Sequence, residues 1–75
     1  MNPRIPTIGI YKHYKGNMYQ ILHVGVLEKT LEPVVIYRAV GSAEVFVRTV
    51  VEWNEILKVD GTWCKRFEFV GGPPK

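Results

Sequence analysis

Apolar and polar residues alternate along most of this chain with the two-residue period of a β-strand, and Gly, Pro, Asn and Asp interrupt the alternation at short intervals. The first predicted strand runs from Thr7 to Lys15. Gly16-Asn17 then offers a two-residue turn, with positive φ accessible to Gly16. A longer strand follows from Met18 to about Glu28. Leu31-Glu32-Pro33 closes a loop, and Pro33 suits only a strand's start because it has no N–H to give to a ladder. The third strand, Val34 to Val40, ends at Gly41-Ser42-Ala43, and the fourth spans Glu44 to about Thr49. Val50-Val51-Glu52-Trp53-Asn54 breaks the alternation and predicts one helical turn. Strand character resumes from Glu55 to Val59, Asp60-Gly61 is the strongest hairpin signal, and a last strand runs from Thr62 to Val70. Gly71 to Lys75 reads as a loose tail.

Turn placement predicts which residues face each other, because a slip of one residue moves a side chain to the opposite face. A two-residue turn at Gly16-Asn17 sets Tyr14 against Tyr19, His13 against Gln20 and Tyr11 against Leu22. A three-residue loop over Gly41 to Ala43 sets Arg38 against Phe46 and Ile36 against Arg48. Arg38, Phe46 and Arg48 then share one face. The segments as a whole predict an all-β fold, a small SH3-like barrel of about five antiparallel strands with one short helical turn before the last hairpin. One domain is expected over residues 1–75, with its ordered core at about 7–70.

Composition agrees with the pattern. The chain has 75 residues, of which Val, Ile and Thr make up 21 and the helix-favouring neutral residues Ala, Leu and Gln only 7; branched side chains suit a pleated surface. Apolar residues at 47% and charged residues at 23% fit a globular protein rather than a disordered one. No apolar run approaches the roughly 18 residues of a membrane span. Met1 to Pro6 lacks the apolar stretch of a signal peptide, and a single cysteine fits a reducing compartment. A cytoplasmic location with no membrane partner is expected. The net charge of +3 is spread along the chain, with Lys65-Arg66 the one adjacent basic pair. That balance permits a nucleic-acid partner without marking one.

Few residues offer catalytic or metal chemistry. His13, His23 and Cys64 are the soft ligands, and no pair of them has zinc-site spacing. Cys64 sits in a predicted hairpin strand with no activating turn. Asp60 is committed to its turn with Gly61, and the glutamates stand singly. No glycine-rich phosphate loop precedes a helix. Neither a cofactor nor an enzymatic activity is expected. The chemistry-rich stretch is Tyr11-Lys12-His13-Tyr14-Lys15, where rings interleave with cations beside a turn. Such a platform can stack a ligand and contact an anion; the structural alternative is that the rings close the barrel end while the lysines reach into water. Arg38 and Arg48 each lie on an apolar face and need a carboxylate, a carbonyl or a bound anion. The candidate ligand site is therefore Tyr11, His13, Tyr14 and Lys15, with Arg38 or Arg48 nearby. Protonation of His13 should strengthen anion binding as pH falls through about 6.5.

The blocks Gly9-Ile10-Tyr11-Lys12-His13-Tyr14-Lys15-Gly16 with Tyr19, Thr30-Leu31-Glu32-Pro33-Val34-Val35-Ile36-Tyr37-Arg38, Val47-Arg48, Asp60-Gly61 and Arg66-Phe67 resemble the bacterial domain-of-unknown-function 1653 family, over about residues 8–69. The chain departs from the family pattern at Thr49, where a proline is usual, and at Cys64-Lys65, where an apolar-Pro pair is usual. The resemblance implies a small SH3-like β domain and no established activity. The leading expectation is a non-catalytic module that binds an anionic or peptide ligand through its aromatic–basic surface. The alternative is a stand-alone homo-oligomer whose interface uses exposed apolar residues such as Trp53 and Trp63. An enzyme using His13 or Cys64 ranks third.

Overall fold

The alternating segments become seven strands in the computed structural model, which describes residues 4–72. They are β1 (Ile10–His13), β2 (Met18–Val26), β3 (Pro33–Ala39), β4 (Val45–Thr49), β5 (Ile56–Val59), β6 (Thr62–Lys65) and β7 (Phe67–Gly71), with one helical turn, α1 (Val50–Trp53), between β4 and β5. Five strands form one sheet in the order β4-β3-β2-β1-β7, and β5 pairs with β6 in a second; every pairing is antiparallel. The all-β class and the helical turn before the last hairpin are as expected. The strand count is higher because the expected strand from Thr62 to Val70 divides at Arg66. There the Arg66 N–H donates to the Glu55 carbonyl at 2.9 Å, while the Arg66 carbonyl accepts from the Tyr14 N–H at 2.9 Å. These two bonds hand the chain from the small sheet to the large one. Within the expected tail, Gly71 still belongs to β7, and residues 73–75 lie outside those described.

Two registers differ from expectation, and both differences move chemistry. The first turn is Tyr14-Lys15-Gly16, closed by His13 N–H to Asn17 carbonyl (2.8 Å) and Gly16 N–H to His13 carbonyl (2.7 Å). Gly16, at φ 108°, takes the left-handed position that ends a three-residue hairpin loop. Tyr11 therefore faces Tyr19, where a two-residue turn would have set Tyr14 there. The second difference lies between β3 and β4. A turn closed by Ser42 N–H to Ala39 carbonyl, with Gly41 at φ 87°, sets Tyr37 against Phe46 and Val35 against Arg48. Phe46 and Arg48 thus share a face with Tyr37, and Arg38 lies on the opposite face. The Asp60-Gly61 turn forms as expected, with both residues at positive φ and Val59 facing Thr62.

The core lies between one face of the large sheet and α1. Tyr11, Ile21, Val35, Tyr37, Val50, Trp53 and Phe67 form it, with Tyr19 and Val24 packed against it. Trp53 is only 2% exposed, so it belongs to the core and is not available to an interface; Trp63, at 67%, is. Four residues cannot stabilise a helix alone. Here the Thr49 hydroxyl oxygen accepts from the Glu52 N–H, and its O–H donates to Glu52 Oε1 at 3.1 Å. Val50 and Trp53, one turn apart, both point inward. Trp53 stacks on Phe67 with 3.7 Å between ring centroids and 2° between planes, and Tyr11 and Tyr37 meet its ring edge-on at 5.2 and 5.0 Å. Gly9 lies so close to β7 that a Cβ there would overlap the Gly71 carbonyl and come within 2.9 Å of the Phe69 ring.

Two stability outcomes follow. Trp53→Ala should cost about 3–5 kcal/mol, comparable with the roughly 3–5 kcal/mol that a core this small supplies, so the variant should show no cooperative urea transition. Gly9→Ala should cost about 1–3 kcal/mol through overpacking against backbone. A Gly9→Ala protein with an unchanged urea midpoint would show that β1 and β7 are not held this closely.

Candidate functional site

The three-residue loop after β1 and the chain switch at Arg66 together build the chemistry-rich end of the sheet. His13 is the last residue of β1 and faces Phe67, the first of β7. Its ring lies 4.5 Å from Tyr14, 4.9 Å from Phe67 and 6.0 Å from Tyr19. The Lys15 N–H donates to His13 Nδ1 at 3.2 Å. With Nδ1 accepting, the neutral ring carries its proton on Nε2. Lys15 extends over Tyr14, its ammonium 5.8 Å from the ring centroid, and forms no ion pair among the described residues.

Two arginines complete the cluster. Arg48 reaches inward from β4, where its Nε donates to the Tyr37 hydroxyl at 3.3 Å and its guanidinium lies 5.8 Å from the Phe67 ring. It also approaches Glu52 at 4.0 Å, one helical turn along. Arg66 pairs with Glu55, while its Nε is buried with no hydrogen-bond partner among the described residues. His13 titrates below the usual histidine range, chiefly because burial disfavours the imidazolium, and further because Arg66, Arg48 and Lys15 all repel it.

The structure therefore brings His13, Tyr14, Lys15 and Arg48 together and separates Tyr11 and Arg38 from them. Tyr11 is buried, and its hydroxyl donates to the Thr7 carbonyl at 2.6 Å. Burial pushes that phenol up from its ordinary value. Arg38 satisfies itself on the other face, donating to the Ser42 carbonyl and to Gln20 Oε1, each at 3.0 Å. Sequence reasoning missed Arg66, Phe67 and Tyr19. The adjacent Lys65-Arg66 pair was a usable signal for the first; nothing local announces the other two.

A cavity of about 460 Å³ has Tyr11, Trp53, Phe67 and Phe69 among its walls. The N-terminal arm closes one side, anchored where the Asn54 side-chain amide donates to the Arg4 carbonyl at 2.7 Å. Lys65 also lines it. Among the described residues no three His, Cys, Asp or Glu side chains gather as metal ligands, and no helix is long and apolar enough to cross a membrane.

Fold and site together define an all-β protein with cationic and aromatic side chains gathered at one end of its sheet, beside a small aromatic cavity. By its residues 9–69 the chain belongs to the family described as protein of unknown function, DUF1653. It is similar to a DUF1653 protein from Bordetella bronchiseptica solved by crystallography, with 29% identity and a TM-score of 0.81 over 93% of this chain and 94% of that one. A comparison with curated proteins found no match.

The depressed His13 pKa sets a pH dependence of stability. The unfolded state takes up this proton near pH 6.5, and the folded state does so only at lower pH. The unfolded chain thus binds more protons in that window, and folding stability falls as pH drops from about 6.5 toward the folded value. In paired urea titrations across this range, His13→Gln should lose less stability on acidification than the wild type does. Equal slopes for the two proteins would remove His13 as the titrating group.

Proposed function

We propose that this chain is a non-catalytic binding module that engages an anionic ligand on the face formed by His13, Tyr14, Lys15, Arg48 and Arg66. The observation that carries the reading is the convergence of Arg66, Arg48 and Lys15 on one histidine at a ring-lined surface. A phosphate or carboxylate group there would meet the uncompensated Lys15, and a planar group could stack on Tyr14. It would also relieve the mutual repulsion of the cations and raise the His13 pKa toward its ordinary value. The same reading takes the five-stranded antiparallel sheet with its one helical turn as SH3-like in type. A peptide ligand is the second reading, favoured by the aromatic cavity, whose volume falls in the roughly 300–1,000 Å³ range of ligand pockets.

Titration with tripolyphosphate, and separately with a single-stranded oligonucleotide, tests the proposal by amide chemical shifts. Perturbations should centre on residues 13–15 and 66 and weaken as salt rises, and binding should strengthen below pH 6.5. Lys15→Glu should weaken binding by about tenfold, the loss of one charge-assisted contact, while stability stays within about 0.5 kcal/mol. Absence of binding to either probe, or shifts confined to the Asp60-Gly61 end, would overturn it. Shifts centred on Trp53, Ile56 and Phe69 would favour the cavity instead.

A further inference from the structure

The large sheet ends at β4, whose outer edge pairs with no strand among the described residues. Along it Val45, Phe46 and Val47 are 51%, 39% and 62% exposed. Proteins usually blunt a free edge with lysine, proline or a bulge; β4 contains no lysine or proline, and its register against β3 is unbroken.

The hydrogen-bonding sense of this edge can be read from β3. Val40 N–H donates to the Met18 carbonyl in the ladder where Tyr19 faces Ala39, so Met18 and Val40 form a hydrogen-bonded pair. Backbone groups alternate sides along a strand. Those of Arg38 and Ile36 therefore turn toward β2, and those of Tyr37 and Val35 turn toward β4, where they meet Phe46 and Arg48. The N–H and C=O groups of Val45 and Val47 consequently point outward, with no strand to meet among the described residues.

We propose that this edge pairs with β4 of a second copy of the chain, antiparallel and centred on Phe46. In that register Val45 of each copy exchanges both hydrogen bonds with Val47 of the other. Phe46 meets its own counterpart in the non-hydrogen-bonded position, where side chains approach most closely. Glu44, the residue before β4, falls opposite Arg48 of the other copy, on both sides of the two-fold axis. Centring on Val47 would instead oppose Phe46 to Arg48 and leave Glu44 facing Val50, so charge complementarity selects the Phe46 register. The pairing is isologous and closes on itself. It joins two five-stranded sheets into one and turns both cationic faces to the same side, which would let the dimer hold a long anion at two places. The pairing itself does not depend on that ligand.

Light scattering at micromolar concentration should give twice the chain mass. Val47→Lys, exposed in the monomer, should keep the β circular dichroism spectrum and raise the dissociation constant by at least about tenfold. Register is read by cysteine cross-linking in a Cys64→Ser background. Phe46→Cys should form a disulfide-linked dimer under mild oxidation, because a non-hydrogen-bonded pair places its Cα atoms about 4.5 Å apart, within disulfide reach. Val47→Cys should not. A wild-type mass that stays monomeric at high concentration, or a dimer indifferent to Val47→Lys, would overturn the interface. Cross-linking through Val47→Cys in place of Phe46→Cys would overturn the register.

Discussion

The stack of Trp53 on Phe67 is the contact on which the rest of this structure depends. It joins α1 to β7, two elements that are too short to persist alone. Tyr37 from β3 meets both rings edge-on, and Tyr11 from β1 meets Trp53 in the same way. Four elements are thereby tied together at one point. Each aromatic pair adds about 0.5–1.5 kcal/mol beyond the area it buries, a large increment for a chain that buries few other large side chains. The helical turn works as a plug, since Thr49 fixes its entry and Val50 and Trp53 pack into the core against the sheet.

That plug decides what remains for recognition. Tyr11 and Tyr37 are committed to packing and Phe67 is buried against Trp53, so the ring exposed beside His13 is that of Tyr14 in the loop, with the half-buried Tyr19 next to it. The charges divide in the same way. Glu52 and Glu55 engage the two arginines from the side of α1 and its exit, and Lys15 at the loop pairs with no carboxylate among the described residues. An excess of positive charge therefore sits next to the partly buried His13, although the whole chain carries only +3. Local arrangement, more than net charge, gives this surface its sign.

Short-range chemistry was legible in the residues. The two-residue period and the excess of branched side chains marked an all-β chain, because both act through neighbours on one strand. Asp60-Gly61 specified its turn, since both positions need positive φ and these two residues tolerate it. Pro33 opens β3, where its missing N–H costs no ladder bond. The loss of alternation at Val50 to Asn54 marked α1. Lys15 and His13 were recognised as a pair because they lie two residues apart beside a turn.

Register and partnership were decided only in three dimensions. Gly16 could serve as the first residue of a two-residue turn or the third of a longer loop, and the bond between His13 and Asn17 selected the second. The loop after β3 was ambiguous by a single residue, and that residue placed Arg48 with His13 and Arg38 with Gln20. Trp53 and Trp63 look alike in sequence, yet one fills the core and the other faces solvent, since burial depends on which surface a distant strand presents. Arg66 joined the site because its backbone bonds two segments that lie far from it in the chain. Alternation, composition and turn chemistry are local, so the sequence by itself determined the elements. Which faces meet depends on strand pairings between remote segments, and only the tertiary structure decided them.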